Sequence, residues 1–537
     1  MFNNDAQYYP YPMRRRAVFA RNGMVATSQP LAAQAGLDIL KKGGNAIDAA
    51  VATAAALTVL EPTSNGIGSD AFAIVWTKGK LHGLNSSGPA PKSISIEAVK
   101  ERGHDEIPKY GLIPVTVPGA PGAWAELNKE FGKLSLSEVL APAVKYAREG
   151  YPVSPVTAAS WNRAKEIYAK NSTEGVFAEW FKTFAPNDKA PQAGDMWKSE
   201  NHAKTLELIG KTQAEAFYRG ELAEKIDALS KEYDGFIRYE DLAEFNPEWV
   251  DPIGVEYKGY NIWEIPPNGQ GLVALMALNI MKDLEIKGRD DVETLHKQME
   301  AIKLAFADGQ KYITERDKMS FTTEELLSER YAAKRRALVG KLAKKAEADE
   351  PKKGGTVYLC AADGEGNMIS YIQSNYMGFG SGVVVPGTGI ALQNRGKNFN
   401  LDPNHDNHLA PGKRTYHTII PGFLTKGDIP IGPFGVMGGF MQPQGHMQVI
   451  MNSIDFGLNP QAALDAPRFR WNKDMNISME MGFPQHTINA LIRKGHDIKV
   501  ESKTGGFGRG QIIWRNSDTG VLVGGTESRT DGTVAAW

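Results

Sequence analysis

The feature that most constrains the fold is an abrupt change of pattern near position 355. Residues 342–355 are mostly charged or small, lack large apolar side chains after the first position, and end in a glycine pair. This composition is typical of an exposed connector. Directly after it, residues 356–362 and 368–374 form two apolar, β-branched and aromatic runs joined by the turn sequence DGEGN. The sequence therefore predicts an exposed linker that leads at once into a buried β-hairpin.

The hairpin brings two hydroxyl side chains together. If its turn is centred on Glu365, Thr356 and Ser374 lie opposite each other, with side chains about 5 Å apart on one face. Tyr376, two residues further on, points to that same face. A threonine hydroxyl needs a neighbouring base to act as a nucleophile, and the α-amine of an N-terminal threonine, with a pKa near ~8, is such a base. Thr356 is a candidate nucleophile if the chain is cut after Gly355, although a threonine that opens a strand is also an ordinary structural feature.

The rest of the chain reads as a mixed α and β protein. Residues 30–40 and 46–60 predict an αα-hairpin, with Asn45 as the cap of a second helix that is apolar on nearly every face and therefore covered on several sides. Strands are expected at 71–76 and 112–117. The middle, from about 135 to 342, predicts mainly helices.

Charge and cysteine content exclude several classes of function. The 61 basic and 62 acidic residues nearly cancel, which disfavours nucleic acid or a membrane surface as partner. A single cysteine, Cys360, excludes an internal disulfide and a multi-cysteine metal site. The longest apolar run, 46–60, is shorter than the ~20 residues of a membrane span, and the polar residues 1–12 do not resemble a signal peptide. A cytoplasmic location is expected.

Several segments, in one order, carry a family resemblance. They are LKKGGNAIDAAVATAAALTVLEPTSNGIGSDAF, VPGAPGAW, GGTVYLCAADGEGNMIS, FGSGVVVPGTGIALQNRGKNF, PGKRTYHTIIPG and GVMGGFMQPQGHMQVIMNSIDFGLNPQAALDAPRF. From Met24 to Trp537 the chain resembles the γ-glutamyltransferase family of N-terminal-nucleophile hydrolases. The resemblance implies a zymogen that cleaves itself into a large chain, 1–355, and a small chain, 356–537. Together they would form one intertwined α+β domain, a four-layer αββα sandwich with two stacked, mainly antiparallel sheets flanked by helices.

The resemblance also implies roles for individual residues. Cleavage would fall between Gly355 and Thr356, and Thr356 matches the family's nucleophile. Ser374 stands where the family has a threonine that hydrogen-bonds this nucleophile. Gly438 and Gly439 match the pair whose backbone N–H groups form the oxyanion hole, and glycine lets the backbone approach a substrate closely. The mechanism implies no cofactor and no metal.

The residues expected to contact substrate depart from the family's transpeptidases. The replacements are Ser87, with Asn85 nearby, for an arginine; Asn398 for an aspartate; His417 and Thr418 for a serine pair; and Tyr376 for an asparagine. Arg395 is the nearest basic side chain left to bind a carboxylate, with a structural role at a sheet edge as the other interpretation. The pattern is similar to the family's acylase-like branch, which includes cephalosporin-acylase-like proteins and oxamate amidohydrolase. Glutathione and other γ-glutamyl amides remain open as substrates.

Three other interpretations are weaker. A metal-dependent amidase would use the histidine-rich set His405, Asp406, His408, His417 and His446. The motif at 66–71 fits G-x-G-x-x-A but follows a helix and not a strand, so it lacks the context of a nucleotide site. An inactive, uncleaved binding module is the alternative from another class. The expected partners are a small-molecule amide and the two chains of one precursor, with a homodimer left open.

Overall fold

Two stacked antiparallel sheets form the centre of the molecule. The computed structural model describes residue 11 and residues 15–171, 174–346 and 354–537. Over these residues each of the two sheets has seven strands, in the orders β1-β18-β17-β13-β12-β9-β8 and β19-β2-β10-β11-β3-β4-β7. A smaller sheet has the order β14-β15-β16, and β5 pairs with β6.

The strands and helices have the following bounds. The strands are β1 (Val18–Ala20), β2 (Gly23–Thr27), β3 (Asp70–Thr77), β4 (Lys80–Ser86), β5 (Tyr151–Pro152), β6 (Met196–Trp197), β7 (Glu248–Val250), β8 (Ile253–Tyr257), β9 (Tyr260–Glu264), β10 (Gly355–Asp363), β11 (Met368–Tyr376), β12 (Gly422–Lys426), β13 (Ile429–Met437), β14 (Phe469–Lys473), β15 (Asn476–Glu480), β16 (Asp497–Glu501), β17 (Arg509–Arg515), β18 (Leu522–Thr526) and β19 (Thr533–Ala536). The helices are α1 (Pro30–Lys41), α2 (Ala46–Leu60), α3 (Ile96–Glu101), α4 (Ala120–Phe131), α5 (Leu136–Glu149), α6 (Pro155–Ala169), α7 (Ala178–Phe184), α8 (Glu200–Thr212), α9 (Glu215–Tyr218), α10 (Glu221–Glu232), α11 (Tyr239–Ala243), α12 (Gly271–Met281), α13 (Val292–Tyr312), α14 (Thr323–Leu326), α15 (Glu329–Arg336), α16 (Met441–Ile454), α17 (Pro460–Asp465) and α18 (Gln485–Arg493).

Side-chain alternation along β10 divides the core into layers. Val357 and Leu359 belong to the apolar cluster that includes α1, α2, α4 and α5. Tyr358 and Cys360 point the other way, into the cluster between the two sheets. A third cluster packs α12, α13 and α16 on the outer face of the other large sheet, the one that contains β13. Successive strand residues point to opposite faces, so each large sheet packs against helices on one face and against the other sheet on the other face. The predicted four-layer αββα sandwich is confirmed.

The predicted αα-hairpin is also confirmed. The side chain of Asn45 accepts hydrogen bonds from the backbone N–H groups of Ile47 and Asp48, both at 3.0 Å. Every residue of α2 is buried, as expected for a helix that lies between other helices and the β10–β11 hairpin.

The strand predicted at 112–117 is wrong. This segment is buried but irregular, and its backbone pairs with loops: Gly396 N–H donates to the Pro114 carbonyl at 2.8 Å, and Val117 N–H to the Pro89 carbonyl at 3.1 Å. Proline has no N–H and cannot donate to a ladder, so Pro114 breaks the pattern that the apolar residues suggested.

The predicted boundary at 355/356 does not separate two structural units. Strands from both sides of it occur in both large sheets. Residues 347–353 of the predicted linker, and residues 1–10 and 12–14 near the start of the chain, lie outside the described residues. None of the helices in the described part has the length and apolar character needed to cross a bilayer.

Candidate active site

The β10–β11 hairpin places two hydroxyl groups side by side at its open end. Val357 pairs with Gln373, in the predicted register, but the pairing then shifts by one residue so that Gly355 lies opposite Tyr376. Thr356 occupies this irregularity. Its Oγ1 donates to Oγ of Ser374 at 3.1 Å, and both side chains are buried.

Ser374 also contacts the peptide bond that precedes Thr356. Its hydroxyl donates to the carbonyl oxygen of Gly355 at 2.7 Å, and its Oγ accepts from the backbone N–H of Tyr376 at 2.8 Å. Tyr376 has a φ of 72°, a left-handed conformation that bulky residues rarely adopt and that is often found at functional sites. The strained end of β11 therefore holds the Ser374 hydroxyl between Thr356 and the Gly355 carbonyl.

A glycine is required just before the hairpin because the chain is tightly enclosed there. A Cβ atom on Gly354 would lie 2.8 Å from the Tyr376 carbonyl oxygen and 3.5 Å from Cα of Gly439. The first distance is shorter than real Cβ contacts allow. The segment leading to Thr356 thus lies in a narrow space between Tyr376 and Gly439.

Gly438 and Gly439 form the turn between β13 and α16. Their φ angles are 140° and 59°, both in the region that favours glycine. The side-chain amide of Gln270 donates to the Gly439 carbonyl at 2.9 Å and to the Thr418 carbonyl at 2.6 Å. Gln270 thereby fixes this turn against the segment that carries His417 and Thr418.

A buried charged cluster lies behind the hairpin, centred on Asp70. Asp70 pairs with Ser374 across β3 and β11, so the two side chains share one face. Nε2 of His417 lies 3.0 Å from Oδ2 of Asp70, and Nδ1 of His417 accepts from the Ile419 N–H at 3.4 Å. These partners assign a neutral His417 that donates from Nε2 to Asp70.

Arg395 completes this cluster. Its Nη1 donates to Oγ1 of Thr418 at 2.7 Å, its Nε lies 3.7 Å from Oδ2 of Asp70, and its guanidinium carbon lies 4.6 Å from the centre of the Tyr376 ring. Arg395 is fully buried, yet Nε and Nη2 have no hydrogen-bond partner among the described residues. Unpaired buried donors are costly, which makes this guanidinium a ready site for an anion.

Burial governs the protonation of all three groups. Desolvation raises the pKa of Asp70 to about 7, although the charge of Arg395 opposes the shift. Burial, with Arg395 nearby, holds the pKa of His417 well below its usual value, and burial lowers the pKa of Arg395 to about 10. At neutral pH the cluster therefore holds a charged arginine, a neutral histidine and a carboxyl group near its midpoint.

Asp70 was not identified from the sequence as a site residue. It entered only as part of the rejected glycine-rich motif at 66–71. The sequence feature that could have identified Asp70 is its position as the first residue of the mostly apolar strand β3. An acidic side chain in such a strand is buried only when it has partners.

The remaining predicted substrate residues form hydrogen bonds to groups outside this cluster. Asn85 donates to Oδ1 of Asn268 at 3.0 Å, and Ser87 donates to Oδ1 of Asn85 at 2.7 Å. Both are buried. Asn398 instead donates to the Tyr416 carbonyl at 3.0 Å and lines a separate cavity of ≈ 240 Å³.

The histidines that suggested a metal-dependent amidase do not form one cluster. His417 contacts Asp70, and Nδ1 of His446 lies 2.6 Å from Oε1 of Glu264. Nδ1 of His408 lies 2.8 Å from the His405 carbonyl, and Nδ1 of His405 accepts from the Asn407 N–H at 3.0 Å.

A different group has the spacing of metal ligands. Within the described ranges this group is His296, Glu300 and His496. Nζ of Lys303 lies 2.5 Å from Oε1 of Glu300, and its positive charge competes with a cation for that carboxylate.

A cleft of ≈ 660 Å³ opens beside the glycine turn. Met377, Gly438, Phe440 and Met441 are among the residues that line it. Because Met377 directly follows Tyr376, the last residue of β11, the cleft adjoins the end of the hairpin that carries Thr356.

These features define a class of enzyme, the N-terminal-nucleophile hydrolases, in which two antiparallel sheets between helical layers present a strand-opening nucleophile. The chain belongs to the gamma-glutamyltranspeptidase family, whose sequence model it matches over residues 32–537. The protein is thus an amide hydrolase or acyltransferase of the self-processing kind.

Individual relatives point to both branches of the family. The solved structure of a cephalosporin acylase from Bacillus halodurans is 65% identical, with a TM-score of 0.96 and 99% of each chain covered. A "glutathione hydrolase-like YwrD proenzyme" from Bacillus subtilis is 35% identical over 531 residues, 97% of this chain and 99% of the relative. An oxamate amidohydrolase proenzyme from Klebsiella pneumoniae is 31% identical over 529 residues, 96% of this chain and 98% of the relative.

Proposed function

We propose that Thr356 is the nucleophile of a self-processing acylase, released as a new N-terminus by cleavage of the Gly355–Thr356 bond. The observation that carries this proposal is the hydrogen-bond chain from Thr356 through Ser374 to the Gly355 carbonyl oxygen. It places the hydroxyl that attacks and a donor for the developing oxyanion at the same peptide bond, as acyl transfer requires.

Self-cleavage proceeds by an N-to-O acyl shift. Oγ1 of Thr356 bonds to the carbonyl carbon of Gly355, and the negative charge develops on the oxygen that Ser374 contacts. The C–N bond then breaks, and the nitrogen of Thr356 takes the proton lost by its hydroxyl, which leaves an ester between Gly355 and Thr356. Water hydrolyses the ester to a Gly355 carboxylate and a free Thr356 hydroxyl and α-amine.

The same threonine then turns over substrate. The α-amine of Thr356 accepts the hydroxyl proton through a water molecule, and Oγ1 attacks the substrate's amide carbonyl. The N–H groups of Gly438 and Gly439 stabilise the oxyanion. The amine leaves with a proton, and water releases the acyl group as a carboxylic acid. Hydrolysis is preferred over transfer to an acceptor amine.

The acyl group carries a terminal carboxylate in this proposal. Arg395 supports it, because two donors of its fully buried guanidinium, Nε and Nη2, have no hydrogen-bond partner among the described residues. A carboxylate would pair with this planar group in a bidentate manner. The cephalosporin acylase from B. halodurans, at 65% identity, supports an acylase over a transpeptidase.

Hydrolysis of γ-glutamyl amides is the second candidate, supported by relatives named glutathione hydrolase. It is less well provided for, because Asn398, at the position where the family's transpeptidases have an aspartate, donates to the Tyr416 carbonyl. Glutaryl and γ-glutamyl 4-nitroanilides separate the two candidates, since they differ only in the α-amino group. The acylase is expected to prefer the glutaryl compound.

The first test is the intact mass of the purified protein and of Thr356→Ala. Two fragments that divide between Gly355 and Thr356, absent from the variant, are the expected result. Full-length mass for both proteins would overturn the proposal. Because both large sheets contain strands from each side of the cut, the fragments 1–355 and 356–537 are expected to remain associated after cleavage. Dimerisation and a cytoplasmic location stay predictions.

A further inference from the structure

Gln270 connects two parts of the proposed active site through one side-chain amide. It is fully buried and directly precedes α12. Its Nε2 donates to the Gly439 carbonyl at 2.9 Å and to the Thr418 carbonyl at 2.6 Å, and its Oε1 accepts from the Tyr416 hydroxyl at 3.0 Å. Both hydrogens of the amide are thus in use. The orientation of the amide is fixed, because a flipped amide would bring its oxygen against two carbonyl oxygens.

The glycine turn depends on such a contact because it has no side chains of its own. Gly438 and Gly439 have φ angles of 140° and 59°, and glycine is the residue with the greatest conformational freedom. The Gly439 carbonyl also accepts from the Gln442 N–H at 3.2 Å, but that bond lies within the turn itself. Gln270 ties this carbonyl to a different segment of the chain and so limits rotation of the Gly439 backbone.

The other end of the connection is the segment that holds Arg395. Oγ1 of Thr418 accepts from Nη1 of Arg395 at 2.7 Å, while the Thr418 carbonyl accepts from Gln270. The backbone adds two bonds to this link: the Gln270 N–H donates to the His417 carbonyl at 2.9 Å, and the His417 N–H donates to the Asn268 carbonyl at 2.8 Å. The two segments are thus joined through both backbone and side chain.

The separation between Arg395 and the glycine turn decides which acyl groups fit. An acyl group with a terminal carboxylate must reach Arg395 with one end and place its scissile carbonyl at the glycine turn with the other. The number of methylene groups between those two ends is fixed for each substrate. An error of about 1 Å in the placement can lower the rate about 100-fold. A length-selective acyl site therefore requires a rigid link between its two anchors.

We propose that Gln270 is a positioning residue that sets the acyl-chain length of the substrate, because it holds the oxyanion turn at a fixed distance from Arg395. It acts through Gly439 and Thr418 and not on the substrate itself. This inference rests on the proposed function, since it assumes that Arg395 binds the acyl carboxylate and that the glycine turn supplies the oxyanion donors.

The test compares succinyl, glutaryl and adipoyl 4-nitroanilides, whose acyl chains differ by one methylene group each and whose leaving amine is the same. In the unaltered protein, kcat/KM for one length is expected to exceed that of its neighbours about 10-fold or more. Gln270→Met keeps the length of the side chain and removes its hydrogen bonds. In this variant the discrimination is expected to fall to about 3-fold or less, with kcat for the preferred length lowered about 10-fold or more.

Two results would overturn the proposal. One is the absence of a length preference in an unaltered protein that hydrolyses the anilides. The other is an equal lowering of kcat/KM for all three lengths in Gln270→Met, with the discrimination retained, which would leave Gln270 with a structural role only.

Gln448→Met is the matched control. Gln448 is also a buried glutamine whose Nε2 donates to two carbonyls, those of Gln444 and Phe469, both at 3.0 Å. It ties α16 to β14 and does not contact the glycine turn through these bonds. The length discrimination of the unaltered protein should be retained in this variant.

Tyr416→Phe is a milder second variant, because it removes only the hydroxyl that donates to Oε1 of Gln270. A smaller fall in the length discrimination, in the same direction, is expected. If Gln270→Met does not fold, full discrimination in Tyr416→Phe overturns the proposal.

Hydrogen exchange separates these outcomes from failure of the proposed function, since it requires no turnover. The N–H groups of Met441 and Gln442 donate to the Gly438 and Gly439 carbonyls at 3.1 and 3.2 Å, so their exchange with deuterium reports on the turn. Gln270→Met should speed this exchange about 5-fold or more, and the control variant should not. If the unaltered protein hydrolyses no anilide, faster exchange still supports the positioning of the turn, and the failure then lies with the proposed function. Unchanged exchange overturns the positioning role.

Discussion

The hydroxyl group of Ser374 donates to the carbonyl oxygen of Gly355 at 2.7 Å, across the open end of the β10–β11 hairpin. The same hydroxyl accepts from Thr356 and from the Tyr376 N–H. One side chain thus connects the proposed nucleophile, the proposed scissile bond and the backbone that fixes both.

Replacing Ser374 by alanine is expected to slow self-cleavage by about 100-fold or more, the usual cost of one donor to a developing oxyanion. Ser374→Thr keeps the hydroxyl and should process at nearly the normal rate. The measurement is the fraction of full-length chain with time after cell-free synthesis. Ser370→Ala is the control, since Ser370 is a buried serine on the same strand that bonds the Tyr358 hydroxyl at 2.8 Å. Equal slowing by both alanine variants would assign the effect to folding.

Gly438→Ala is expected to lower kcat of the processed enzyme by about 100-fold or more, since it disturbs a proposed oxyanion donor. At a φ of 140° a side chain is strained, and its Cβ would lie 3.2 Å from Cα of Gly508. The control is Gly427→Ala, at a turn with a φ of 57° and open space around the new Cβ. Steady-state kinetics with the glutaryl anilide measure the effect, and normal kcat in Gly438→Ala would remove the turn from the oxyanion hole.

The hairpin that carries Thr356 was predictable because its information is local. The turn sequence and the two apolar runs lie within about twenty residues, and their alternation sets the register of a short hairpin. The shift at Thr356 was not predictable, because a β-bulge changes the pairing without changing the residue pattern. It moves Tyr376 opposite Gly355, where sequence spacing alone would pair Ser374 with Thr356.

Arg395 and His417 were named from the sequence, but their pairing with Asp70, and the cleft, could not be predicted for a different reason. Asp70, Arg395 and His417 come from segments more than twenty residues apart in the chain and meet only through the packing of β3, β11 and the loops that follow. The cleft likewise depends on how the sheet of residues 469–501 packs beside Gly438. Charges of opposite sign give no periodic signal, so their pairing becomes visible only in three dimensions.

Arg395 should determine the preference for a carboxylated acyl group. In Arg395→Gln, the ratio of kcat/KM for glutaryl over the neutral glutaramoyl anilide is expected to fall about 10-fold or more, because a hydrogen bond to a charged group is lost. Arg395→Lys keeps a charge but not the planar fork, and an intermediate ratio is expected. Arg493→Gln, at an exposed arginine on α18, is the control. An unchanged ratio in a processed Arg395→Gln protein would leave Arg395 with a structural role only.

Asp70 should make this preference depend on pH. Burial raises the pKa of Asp70 to about 7, so its carboxyl group is neutral below that pH and the charge of Arg395 is then uncompensated. Above it the Asp70 carboxylate cancels that charge. His417 is neutral throughout, because burial holds its pKa well below 6.5. The glutaryl to glutaramoyl ratio should therefore fall as pH rises from about 6 to about 8.

Asp70→Asn tests the origin of this pH dependence. Its neutral side chain can still accept from Nε2 of His417, and the ratio is expected to stay near the low-pH value at every pH. The α-amine of Thr356 also titrates near ~8, but it acts on both substrates equally and cancels in the ratio. A flat ratio in the unaltered protein, or an unchanged pH dependence in Asp70→Asn, would show that the charge of Asp70 does not reach the acyl site. Asp70 pairs with Ser374 across β3 and β11, so the rate of self-cleavage in Asp70→Asn is a second readout. A normal self-cleavage rate together with an altered glutaryl to glutaramoyl ratio would show that Asp70 acts on Arg395 and not on the nucleophile.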